Sequence, residues 1–117
     1  MGTTKKGKMR VPVLHVYYDL EPQTVFKDRA VCGMCHVDRK RKRIQISKTQ
    51  DEPAIWAATF WHEWFHAAFN ELGHVEDYES EAKVEGLAHA MMGMLTDPHG
   101  RSLLKDLLKA IPEKKPG

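Results

Sequence analysis

Two cysteines, Cys32 and Cys35, are the whole supply in this chain, too few for a disulfide framework. No stretch approaches the roughly eighteen consecutive apolar residues of a membrane span, and Met1-Gly2-Thr3-Thr4-Lys5-Lys6 leads into no apolar signal segment. The expectation is a cytoplasmic protein with no membrane partner. Internal repeats and Gly- or Pro-rich linkers are also missing, and 117 residues suit one domain around one modest core. What is present is balanced: 42% hydrophobic and 29% charged residues exclude a disordered or fibrous chain.

The segment Cys32-Gly33-Met34-Cys35-His36 matches the C-x-x-C-H pattern of covalent haem attachment. That chemistry belongs outside the cytoplasm and at a helix start, whereas this segment reads as a strand. A single C-x-x-C also supplies only two of the ligands a zinc site needs. Both residues are therefore expected to be inert thiols in a strand and its approach.

The net charge of +2 hides an asymmetry. Residues 1–50 carry 12 Lys and Arg against 4 Asp and Glu, while residues 51–117 carry 6 against 12. Part of the basic excess is the run Arg39, Lys40, Arg41, Lys42 and Arg43. Such a run can contact nucleic-acid phosphates, but between two strand-like segments it is more often a solvated turn.

After a basic tail over 1–10, Val11 to Tyr18 is rich in β-branched and aromatic residues and predicts a strand, with Pro12 at its start or on an edge. Ala30 to Val37 predicts a second strand, and Arg43 to Ser47 a third, with Asp38 to Lys42 as the hairpin loop between them. From residue 51 the period changes. Asp51-Glu52-Pro53 is a helix-start signal and Gly73 a stop, enclosing about 30 Å of helix. Its aromatic and alanine residues leave almost no polar face, so it is expected to be the buried centre of the domain.

A second helix is expected to start near Asp77, which can cap it, and to end before Asp97-Pro98. Its apolar stripe holds Val84, Leu87, Ala88, Met91 and Leu95. Glu81 falls inside that stripe and Glu85 about 40° to its side. A third helix over His99 to Ala110 precedes a tail, 112–117. The fold class is α+β, one domain over 11–111: a small, mainly antiparallel three-stranded sheet packed on the central helix, with the glutamate helix beside it.

The chemistry lies in His62-Glu63-Trp64-Phe65-His66. Histidines four residues apart on a helix share one face, so both imidazoles reach one metal ion at about 2.0–2.1 Å. Glu63, rotated about 100° from His62, reaches a water on that ion rather than the ion itself. Zinc acidifies such a water and polarises a carbonyl, and the glutamate can move the proton from the water to the leaving amine. A third ligand is needed, and a carboxylate of another helix is one solution. Glu81 is the choice, with Glu85 as the alternative. Burying two histidines and a glutamate without a shared partner would cost several kcal/mol, which weighs against satisfied core histidines.

The span Thr59-Phe60-Trp61-His62-Glu63-Trp64-Phe65-His66-Ala67, followed by Glu81-Ala82-Lys83-Val84-Glu85-Gly86-Leu87-Ala88, resembles the HExxH metallopeptidases called gluzincins. Among them it is similar to the small phage-encoded and ImmA/IrrE-type proteins, over roughly residues 30–95. The resemblance implies a zincin-like fold, zinc, His62 and His66 as ligands, Glu63 as catalytic base and a glutamate of the next helix as third ligand. It further implies Glu85 as a partner orienting His62, and Arg43 to Ser47 as a cleft edge that binds substrate as an added strand. His74 does not fit a three-histidine pattern, since the sixth position after His66 is Leu72.

His74, Tyr78 and His89 are open candidates for stabilising an oxyanion. Trp56, Trp61, Trp64 and Phe65 can shape an apolar pocket, although core packing is the commoner role. The expected activity is hydrolysis of a peptide bond in a peptide or protein substrate. The alternatives are a metal-stabilised regulatory or nucleic-acid-binding module with little turnover, and an amidase acting on a non-protein amide.

Overall fold

The structure, a computed structural model, describes residues 9–23, 33–37, 42–47 and 53–114. Four strands come first: β1 (Met9–Val13), β2 (Val16–Gln23), β3 (Gly33–Val37) and β4 (Lys42–Ser47). Four helices follow: α1 (Pro53–Glu71), α2 (Val75–Tyr78), α3 (Glu81–Thr96) and α4 (Pro98–Ala110). The domain is α+β, as its sequence implies.

The sheet has four strands in the order β1-β2-β4-β3, not three. The apolar run expected to be one strand folds back on itself at Leu14 and His15, pairing Val13 with Val16. Leu14 sits at φ 56°, a left-handed conformation that Gly or Asn signals and Leu does not, so the sequence hides the turn. Met9 and Arg10, assigned to the tail, already belong to β1.

β4 runs parallel to β2 on one side and antiparallel to β3 on the other, so the sheet is mainly antiparallel. This corrects the expectation that Arg43 to Ser47 is a cleft edge. Both edges of β4 are hydrogen-bonded, and Ile44, Gln45, Ile46 and Ser47 are all buried, as a central strand requires. Among the described residues the edge strands are β1 and β3.

One face of the sheet supplies Val13, Tyr18, Leu20, Ile44 and Ile46 to a core closed by Ala67 and Ala68 of α1. The two alanines let the helix sit close to the strands. The rest of α1 is less buried than its composition suggests: Ile55 is 46% and Trp56 41% exposed. Its aromatic rings cover one another instead. Trp56 stacks on Phe60 at 6.2 Å, while Phe60–Trp61, Trp61–Trp64 and Trp64–Phe65 meet edge to face at 5.1–5.7 Å. Trp64 donates from Nε1 to the Pro12 carbonyl (2.9 Å), tying the helix to β1.

At the C-terminal end of α1, Glu71 accepts hydrogen bonds from the Tyr18 hydroxyl and the Lys42 ammonium, both at 2.7 Å, and from Asn70 at 3.4 Å. Desolvation alone would raise its pKa, but the bonds from Lys42, Tyr18 and Asn70 and the Lys42 charge outweigh it and hold the carboxyl below its ordinary value. Since the folded pKa is depressed, this stabilisation is present above the unfolded carboxyl's pKa and is lost as pH falls through the folded one. Glu71→Gln is expected to lower stability by about 1–3 kcal/mol near neutral pH, with the difference shrinking in acid. Urea unfolding of both proteins across pH measures this, and a deficit equal at pH 3 and pH 7 would contradict it.

The glutamate helix starts later than expected. Ser80, not Asp77, caps α3, its hydroxyl accepting from the Lys83 backbone N–H at 3.3 Å. Asp77 lies in the short α2 and pairs with the Lys83 ammonium. Asp97 caps α4 by accepting from the Gly100 N–H at 3.0 Å, with Pro98 in the first turn. α3 packs against α1 through the buried Val84 and Ala88, which brings its N-terminus beside the middle of α1.

Candidate metal centre

His62 and His66 lie one turn apart on α1, with ring centroids 5.0 Å apart. Glu81 opens α3, and its carboxylate spans both rings: Oε2 is 2.8 Å from His62 Nε2 and Oε1 is 2.9 Å from His66 Nε2. One donor atom from each of the three residues lies within 4.8 Å of the other two. The site is deep on the helix side and open on the other. The two histidine side chains are 18% and 10% exposed, and that of Glu81 is 72% exposed.

The far nitrogens of the two rings decide what the near ones can do. His66 Nδ1 lies 2.6 Å from the Tyr78 carbonyl oxygen, which only accepts, so Nδ1 carries the proton. His62 Nδ1 lies 2.9 Å from Glu85 Oε2, and a carboxylate likewise takes a donor there. With the proton on Nδ1, a ring that carries no second proton turns a bare Nε2 lone pair toward Glu81, which offers only lone pairs in return. A bare Nε2 and a carboxylate oxygen at 2.8–2.9 Å repel one another unless positive charge lies between them. A metal ion supplies it, or a proton shared with the carboxylate.

Glu85 accepts from His62 with one oxygen and lies 3.0 Å from His89 Nε2 with the other. Neither interaction is with the Nε2 atoms of His62 and His66 that meet Glu81. Glu81 is the carboxylate that meets both Nε2 atoms. Of the choices the sequence left open, the geometry favours Glu81 as the ligand.

Glu63 is buried, 8% exposed, on the side of α1 that also presents Phe60 and Ala67 to the sheet. Its carboxylate has no hydrogen-bond partner among the described residues. Burial pushes its pKa up to about 7, against the attraction of His62 and with help from the negative Glu81 and Glu85. A carboxyl poised near neutrality beside a metal-ligand cluster is suited to taking and returning a proton.

The oxyanion candidates separate. Tyr78 stands edge-on to His66 at 5.7 Å, while His74 stacks on Phe69 at 6.4 Å and lies 3.6 Å from Asp77. His89 is engaged by Glu85. The Tyr78 carbonyl and His89 were not foreseen in these supporting roles. Nothing in a sequence marks a backbone carbonyl, but the four-residue step from Glu85 to His89 was there to be read.

Of the basic run, Arg39, Lys40 and Arg41 lie outside the described residues. Lys42 is paired with Glu71 and Arg43 with Glu21 (3.3 Å), so these two cations are already neutralised within the fold. Cys32 also lies outside the described residues, and Cys35 belongs to β3. Comparison of the chain with protein-family models, curated proteins and solved structures finds no match.

Proposed function

We propose that this protein is a zincin-like metallopeptidase that hydrolyses a peptide bond with zinc held by His62, His66 and Glu81. One observation carries the reading: two imidazole lone pairs and a carboxylate converge on one point, their tautomers fixed by the Tyr78 carbonyl and Glu85. Two nitrogens and one oxygen on an open site form a donor set that suits catalytic zinc, with room for water or substrate. When bound, zinc supplies a Lewis acid that acidifies water and polarises a carbonyl.

The chain's own residues do the rest. Glu63 accepts the proton of the attacking water and delivers it to the leaving nitrogen. Glu85 and the Tyr78 carbonyl keep the histidine rings turned toward the centre, which fixes the reacting geometry in advance. With β4 enclosed, β3, the edge strand among the described residues that borders α1, is the one for an extended substrate to pair with.

A metal-stabilised module without turnover gives no role to a buried Glu63 carboxyl with its pKa raised to about 7, and the pairing of Lys42 and Arg43 weakens the nucleic-acid version of it. An amidase acting on a non-protein amide would use the same centre and differ only in substrate. The test is elemental analysis of purified protein together with mass spectrometry of a peptide mixture incubated with it. About one zinc per chain and new peptide termini are expected. A folded protein that takes up no zinc after supplementation would rule the reading out.

A further inference from the structure

Glu85 is held from two sides. Its Oε2 lies 2.9 Å from Nδ1 of His62, and its Oε1 lies 3.0 Å from Nε2 of His89, so one carboxylate bridges two imidazoles. A carboxylate only accepts, so each of those nitrogens carries a proton. His89 follows Glu85 by four residues on α3, the spacing at which a helix brings side chains onto one another. His62 turns its other nitrogen to Glu81 at 2.8 Å, so the line from His89 to the centre is unbroken.

By itself the outer pair does little. The side chains of Glu85 and His89 are 56% and 76% exposed, and an exposed pair of this kind adds little to the stability of a fold. Its effect lies in the choice it imposes on Glu85. An exposed glutamate samples several staggered rotamers, and in those that turn away from α1 water takes the place of His62. Among the described residues the two histidines are its only ion-pair partners. Binding of one oxygen by His89 favours the rotamer whose second oxygen meets His62, because a single geometry serves both contacts.

We infer that His89 is a positioning residue for the metal centre: by holding Glu85 it keeps the His62 ring turned with Nε2 toward the ion, and it raises zinc affinity without touching the metal. The inference rests on the zinc site proposed above and carries it one residue outward. For His66 the same task falls to the Tyr78 backbone carbonyl, 2.6 Å from Nδ1, which the chain itself fixes and which needs no third member. His62 relies instead on a carboxylate at the end of a long side chain. That is where a further partner has an effect.

Zinc affinity of the full chain, read by competition against a chelator, tests this with His89→Ala and His89→Lys. Lysine four residues after a glutamate donates to it, so His89→Ala should bind zinc about two- to fivefold more weakly and His89→Lys should recover most of that loss. The field of a cation acting alone gives the opposite order, since an ammonium near a dication weakens its binding. In the Glu85→Ala background, changing His89 to Ala should have no further effect. A second readout needs no metal. The His62 Nδ1–H proton of nitrogen-15-labelled protein should exchange with water several-fold faster in His89→Ala, with circular dichroism unchanged. Wild-type affinity and wild-type exchange in His89→Ala would overturn the inference, as would a lysine variant weaker than the alanine one or an equal loss in the Glu85→Ala background. A chain that takes up no zinc yet shows the His89-dependent exchange would remove the zinc reading and leave the positioning of His62 in place.

Discussion

Replacing Glu63 by Gln is expected to reduce peptide cleavage by about 10²–10⁴-fold while zinc content stays at the wild-type level, because in the proposed mechanism the side chain moves the proton and does not hold the metal. Stability should change in the opposite sense. In the metal-free chain the Glu63 pKa is raised to about 7 by burial, so folding keeps a proton on the carboxyl that the unfolded chain releases. Between pH 4.5 and 7 the folded state therefore loses ground as pH rises, and above 7 the full penalty applies, on the order of 3 kcal/mol. Gln has no such penalty. Metal-free Glu63→Gln should unfold at higher urea than metal-free wild type at pH 8 and at nearly the same urea at pH 4. If the substitution abolished cleavage by removing zinc, or left cleavage intact, the assignment of the base would be wrong.

The second large effect separates two glutamates one helical turn apart. Glu81→Ala removes a carboxylate that meets both Nε2 atoms, and zinc is expected to be lost on dialysis against a buffer that leaves the wild type loaded. Glu85→Ala removes only the partner of His62 Nδ1, which frees the ring to rotate and to change tautomer. The expected loss there is about 10–100-fold in zinc affinity, with metal retained at saturating zinc. Competition against a chelator of known affinity reads both values. The reverse ranking would make Glu85 the ligand and Glu81 the bystander.

The relative placement of the candidate site residues was more legible than the fold. His62, Glu63 and His66 share a strongly helical span, so their relative placement follows from 3.6 residues per turn with no knowledge of the rest of the molecule. Glu81 followed from the same periodicity on the next helix, although the boundary of that helix did not. Ser80 and Asp77 are both good caps, and which one acts depends on where Lys83 reaches. The strands were harder because pairing is non-local. Val11 to Tyr18 reads as continuous until Leu14 adopts a left-handed turn, and nothing near Arg43 to Ser47 announces that β2 lies alongside in parallel. Aromatic content misled in a different way. It predicted burial of α1 by the sheet, when much of the cover over those rings is other rings of the same helix.

The parallel pairing of β2 with β4 also orders events during synthesis. All the groups of the centre come from residues 62–89, on helices that follow one another along the chain, and can meet as soon as that stretch has emerged. β2 has only β1 beside it until β4 arrives, since its other neighbour lies beyond β3 in sequence. For that interval β2, with its two tyrosines, presents an edge that β4 has yet to cover, the kind of surface that nascent chains mispair through. The stretch between β2 and β4, residues 24–41, therefore sets how long the growing chain stays vulnerable, a duty unrelated to metal or substrate.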